Sequence, residues 1–209
     1  MVRPRVRIRF TKQADLRLIG HRDLMRCLER LFRRAGLALS MSQGFHPKPR
    51  MTFPLALAVG IEGDDEVMEL ELAEELTAEE VLARLRPQAP SGLRFLSAEV
   101  LPPGSRKAHA HAAVYQAAVP PPHREGLEER VARLLAAASW PMRRPNRAAP
   151  IDLRASLLAL TLAGNVLEMR LRADQGAVAG PRDVLTALGL TDIEREGACL
   201  KRTKVETGP

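Results

Sequence analysis

Ser42 to Phe53 reads SQGFHPKPRMTF, a stretch whose side chains are suited to holding anions and flat rings. Lys48 and Arg50 can donate to phosphate, His46 can donate to phosphate or stack on a base, and Phe45 can stack. Pro47 and Pro49 fix two φ angles and keep His46 and Lys48 extended, so the stretch has little entropy left to lose on binding. Gly44 permits close backbone approach or a positive φ. The competing reading is a stiff connector with Phe53 plugged into the core and Phe45 open to either role.

Other cations could join this loop. Arg22, Arg26 and Arg30 are spaced i, i+4, i+8, and Arg33 and Arg34 extend the basic side, opposed by Asp23 and Glu29. A solvated Arg-rich face is the bland meaning of that pattern; phosphate binding becomes attractive if further basic groups converge on it. Arg5, Arg7 and Arg9 alternate with Val6, Ile8 and Phe10, so three arginines share one face of a strand. On an open sheet face they could meet nucleic acid, yet Glu69 and Glu71 on a neighbouring strand would pair with them equally well.

Catalytic signals are few. There is no Gly-rich phosphate loop, nucleophile elbow or His-Glu-x-x-His, and no catalytic residue is assigned. His21 with Asp23, and His46, could do acid–base work on RNA, against a plain helix-terminus role for His21. His109 and His111 form His-x-His in an expected linker, a poor metal site without further ligands. Cys27 and Cys199 cannot build a disulfide framework or hold an iron–sulfur centre. No metal and no cofactor is expected.

These residues need elements to position them. Residues 5–10 alternate as a strand, and a helix is expected from His21 to Ala35, its stripe being Leu24, Met25, Leu28, Leu31 and Phe32. Asp23 in its first turn and Gly36 after its last suit the helix dipole and a C-cap. MTFPLALAV reads as an extended edge segment, EVMELEL as a strand, TAEEVLARL as a helix opened by a Thr77–Glu80 capping box, and LRFLSAEVL as a strand. The order β-α-β-β-α-β predicts a ferredoxin-like domain. After a linker, Leu101 to Ala113, the order repeats. VYQAAV, a helix stripe from Leu127 to Ala138, a hairpin turning at Gly164-Asn165, a helix from Pro181 to Leu188 and CLKRTKV follow one another. Trp140 to Pro150 is too rich in proline to assign. The expectation is α+β, two tandem ferredoxin-like domains, 1–103 and 113–209.

Bulk properties agree with a nucleic-acid partner without requiring one. The 209 residues are 45% hydrophobic and 27% charged, and the net charge of +7 points toward polyanions. Arginine outnumbers lysine 27 to 5, which base composition alone would also produce. Distribution says more: residues 1–53 carry 13 basic and 3 acidic residues, residues 54–100 carry 3 and 11. No apolar run is long enough to span a bilayer and no signal peptide is read, so a cytoplasmic protein with no membrane partner is expected.

DLRLIGHRDLMRCLERLFRRAGLALSMSQGFHPKPRMTF, continued by LALAVGIEGDDEVMELEL, resembles an uncharacterised bacterial family described as radical-SAM-linked. Its members are fused to, or encoded beside, B12-binding-type radical SAM proteins. Later positions agree more loosely, at Asp152 and Arg154 in IDLR, Pro181 to Leu185 in PRDVL, and Arg202. Gly20 departs from the family's more usual Ser, removing a good N-cap, and the linker lacks the usual apolar run. The resemblance implies a radical SAM enzyme as partner; lacking a cysteine triad, this chain is not itself the radical SAM catalyst.

Three functions follow as expectations. The first is a non-catalytic accessory protein of a radical SAM enzyme that recognises tRNA or rRNA through Arg22, Arg26, Arg30, Phe45, His46, Lys48 and Arg50. The second is a protein module that docks on the radical SAM partner without RNA. The third is a metal-independent endoribonuclease resembling CRISPR RNA-processing enzymes, although LGLTDIEREGACL stands where those carry a Gly-rich segment.

Overall fold

A computed structural model describes residues 3–144, 149–174 and 179–208. The chain is mixed α+β, with mostly antiparallel strands and few helices, in two compact units: Met1–His109 with Thr207–Pro209, and Ala110–Glu206. The strands reach into the segment expected as a linker. One ends at Leu101 and the next begins at His109, so His109 and His111 lie on a strand and not in a connector.

The first unit contains β1 (Arg5–Lys12), α1 (His21–Arg34), β2 (Met51–Thr52), β3 (Glu62–Glu71), α2 (Ala78–Leu85) and β4 (Leu93–Leu101). β1 lies between β4 and β3, antiparallel to both, and β2 pairs antiparallel with β3. Alternation explains β1: Val6, Ile8 and Phe10 are buried against Leu24, Leu28, Leu31 and Phe32, the apolar stripe of α1. Each such burial contributes about 1.5–3 kcal/mol over exposure. α1 ends with Leu37 N–H donating to the Phe32 carbonyl at 3.0 Å. α2 begins with both halves of the expected capping box between Thr77 and Glu80.

Two expectations need correction here. MTFPLALAV is strand only at Met51–Thr52, because Pro54 has no N–H to continue the ladder and the chain bends away after Phe53. The Arg5, Arg7, Arg9 face is not open. Ser105 and Arg106 carbonyls accept from Arg5, and the Ala108 N–H donates to Glu69, so the 105–108 segment crosses this face.

The second unit contains β5 (His109–Ala118), α3 (Leu127–Ala136), β6 (Pro141–Met142), β7 (Ile151–Asp152), α4 (Leu153–Ser156), β8 (Leu157–Ala163), β9 (Val166–Arg172), α5 (Pro181–Ala187) and β10 (Leu200–Gly208). Strand order is β10-β5-β9-β8. The β8–β9 hairpin turns where expected, with Ala163 opposite Val166 and Gly164 at φ 59°. The first strand of this hairpin is preceded by the short α4, which Asp152 caps by accepting from Arg154 N–H at 2.9 Å. Within Trp140 to Pro150 lies β6, which pairs with β7 just beyond it, while residues 145–148 lie outside the described residues.

Candidate nucleic-acid interface

The charged residues of the first unit sort into two sets by whether they find partners. Beside β1, Glu69 of β3 is 3% exposed and its carboxylate accepts from Arg5 at 3.2 Å and from Arg7 Nε and a terminal nitrogen at 3.1 and 3.0 Å. Arg9 donates to Asp65 at 2.5 Å. A carboxylate taken out of water needs such partners, and the three arginines are spent providing them. The β1 ladder is structural.

α1 is different. Arg22, Arg30 and Arg33 are exposed and their guanidiniums carry no ion pair or hydrogen bond among the described residues. Arg26 meets only Asp23, at 3.4 Å, in an exposed i,i+3 pair that contributes little.

The loop after α1 returns toward it. Met41 bridges to Pro49, Ser42 N–H donates to the Lys48 carbonyl at 2.8 Å, and Lys48 N–H donates to Ser42 Oγ at 2.9 Å. Gly44 makes the turn at φ 129°, a backbone that other residues adopt only with strain. Phe45, His46, Lys48 and Arg50 are exposed. Between loop and helix runs a groove of about 730 Å³, with Arg22, Arg26, Arg33 and Lys48 on its walls. Its floor is apolar, made of Met25, Phe32, Leu37 and Leu39, with Glu29 its one acid.

Not every expected residue joins. Arg30 is exposed but does not line the groove, and Arg33 takes its place. The reason is helical pitch. An i+8 residue lies about 80° round from its start, whereas i+11 returns to within about 20°. Spacing of Arg22, Arg26 and Arg33 was the signal that would have found it. Arg50 turns to the other side of the loop, where it pairs with Glu71 at 3.3 Å and lines a separate groove with Arg5, Lys48 and Lys107. Phe45 and His46 stand at the tip and line neither groove.

The candidate acid–base residues do not assemble. His21 is half-buried, its ring edge-on to Phe53 with centroids 4.9 Å apart, and it does not line the basic groove. Burial, and then the positive charge of Lys12, hold its pKa below the ordinary histidine value. Lys12 itself escaped sequence reading. It continues the core-facing alternation of Val6, Ile8 and Phe10, is fully buried, and donates from Nζ to the Ile19 carbonyl at 2.8 Å, just ahead of α1.

In the second unit, Asp152 accepts from Trp140 and Arg154 N–H groups. Arg154 donates to the Ala137 and Leu157 carbonyls, so both residues pin the chain around α4. Backbone donation from Trp140, then a hydrogen bond from Ser139, keeps the Asp152 pKa below its usual value. Arg144 grips Asp183, whose carboxylate also accepts from Gly180 N–H at 2.6 Å at the start of α5. Among the described residues no group of three or more His, Cys, Asp or Glu could hold a metal ion. No helix among them is long and apolar enough to cross a membrane.

No curated protein matches the chain. Among solved structures, it is similar to an unknown protein from Galdieria sulphuraria, at 14% identity, full coverage of both chains and a TM-score of 0.29. A putative glycine cleavage system transcriptional repressor is similar at 13% identity, over 96% of this chain and 97% of that one, with a TM-score of 0.28. Both likenesses are too distant to carry an argument. The model of the family described as "Uncharacterized protein conserved in bacteria (DUF2344)" matches residues 5–181, and the chain belongs to that family.

Proposed function

We propose that this chain is a non-catalytic, cytoplasmic RNA-recognition protein, built from two tandem ferredoxin-like units, that serves a radical SAM enzyme. The strand orders support the fold reading: β1 lies between β4 and β3, and β5 lies between β10 and β9. A split βαβ unit likewise sets its first strand between its last and third, with helices joining first to second and third to fourth strands. The partner rests on the sequence resemblance alone.

One observation carries the RNA reading. Among the described residues, the cations of this unit whose side chains have no partner include Arg22, Arg33 and Lys48, and these three line one groove together with Arg26. Folding does not need them there, and like charges brought together repel unless an anion neutralises them. Phosphodiester backbone is a polyanion, and its binding releases counterions.

Fluorescence anisotropy with total tRNA and rRNA fragments tests this across 50–300 mM salt. The expected result is binding with a clearly negative log–log salt slope. Indifference to RNA at the lowest salt overturns the reading. Co-purification of the chain with the radical SAM enzyme, after nuclease treatment, tests the partner separately. Two proteins that never associate remove that part and leave the RNA part standing.

A further inference from the structure

Phe45 is the most exposed large apolar side chain among the described residues, fully open to solvent, on a segment closed at its base by hydrogen bonds. One backbone bond, from Ser42 N–H to the Lys48 carbonyl, and the Lys48 N–H bond to Ser42 Oγ close the base of the tip, and the Arg50 N–H donates to the Ser40 carbonyl at 2.8 Å behind it. Leaving a phenylalanine in water forfeits about 1.5–3 kcal/mol that burial would supply. Phe53, only eight positions on, shows the alternative, its ring packed edge-on to Phe10 and His21. Phe45 makes no ring contact among the described residues and adds nothing to the core.

We infer that the loop–helix surface takes single-stranded RNA and not duplex, with an unpaired base stacked on Phe45 while the adjoining phosphates lie in the groove of Arg22, Arg26, Arg33 and Lys48. This rests on the RNA reading above and specifies its substrate class. In a duplex the base faces are stacked on one another, and the A-form major groove is too deep and narrow for side chains to read. A projecting ring can therefore gain only from a base that is already unpaired. Only His46 separates Phe45 from Pro47 on the groove wall, a backbone reach of at most about 7 Å. Stacking and phosphate contact thus fall on neighbouring parts of one strand. Met25 and Leu39, the half-buried apolar residues of the groove, suit the same ligand, since ribose and base edges of a single strand can lie against them.

The experiment measures anisotropy of a labelled single-stranded RNA and of its duplex of equal length at one salt concentration. Parent protein, Phe45→Ala, Phe45→Trp and Lys48→Ala are compared. The single strand should bind tighter than the duplex. Phe45→Ala should weaken single-strand binding about tenfold or more while leaving its salt slope unchanged, and Phe45→Trp should keep the affinity. Lys48→Ala should lower the salt slope instead. Because Phe45 is exposed, circular dichroism should show every Phe45 variant folded. Equal affinity for strand and duplex, or unchanged strand binding by Phe45→Ala, overturns the inference. The second outcome is also the one expected if Phe45 is an anchor for a protein partner. Failure of the parent to bind any RNA overturns the RNA reading itself, so the two failures are distinct.

Discussion

Lys48 and Arg26, on different elements and far apart in sequence, line the same groove of the first unit. The loop reaches the helix because Met41 and Pro49 bridge at its base, which turns the segment back before β2 begins.

If that groove holds phosphate, Arg26→Ala and Lys48→Ala should each weaken RNA binding similarly across sequences. Each should reduce the salt slope by about one unit per lost contact. Arg30→Ala, on the neighbouring face of α1, should do neither. Stability by urea titration should move by no more than about 0.5 kcal/mol in all three, as exposed charges contribute little. Equal loss of binding from Arg30→Ala and Arg26→Ala would mean diffuse electrostatic attraction and no groove.

Arg50 is held by Glu71, so Arg50→Ala should change the salt slope less than Lys48→Ala does. Glu71→Gln should then release Arg50 and strengthen RNA binding. A weaker complex on Glu71→Gln, read by the same anisotropy titration, would contradict the assignment of Arg50 to the other side of the loop.

Glu69 is the buried half of a network with Arg5, Arg7 and the Ala108 N–H. Glu69→Ala removes the acceptor and leaves two half-buried guanidiniums short of a partner. Denaturant unfolding should show a loss of about 3 kcal/mol, the scale for breaking a buried pair from one side. A change under 1 kcal/mol would mean that water replaces the carboxylate there.

His21 has its pKa lowered in the folded chain by burial and by Lys12. Between the lowered value and the ordinary 6.5, the unfolded state binds more protons than the folded one. The stability His21 contributes is therefore full above pH 6.5 and declines as pH falls below it. His21→Gln should flatten the thermal midpoint across that window. A profile unchanged by the substitution would remove His21 from the acid response.

Glu80 shifts in the other chemical class with the same sign. The Thr77 N–H and hydroxyl hold its pKa below the ordinary 4.5, so its contribution is present above that value and is lost as pH falls through the folded one. Glu80→Gln should flatten the acid limb near pH 4, and Thr77→Ala should flatten it in part, because it removes the hydroxyl bond and keeps the backbone N–H donor. If only one of the two variants changes the acid limb, the capping box is not the cause.

Much of the framework was legible because its signals are local. Strict alternation wrote β1, the 3.6-residue stripe wrote α1 to within a residue, Thr77 and Glu80 wrote the start of α2, and Gly164-Asn165 wrote the β8–β9 turn. Each depends on residues a few positions apart. The residue types able to meet RNA were legible for the same reason, as a count of cations and an aromatic ring in a proline-stiffened loop. Which cations remain available was decided by the tertiary structure. Arg7 and Arg22 are indistinguishable as charges in the sequence, but strand register sets Arg7 opposite Glu69, while no carboxylate comes within reach of Arg22 among the described residues. Ion pairing needs partners within about 4 Å, and only the folded chain, by bringing residues distant in sequence to that range, separates a spent arginine from a free one.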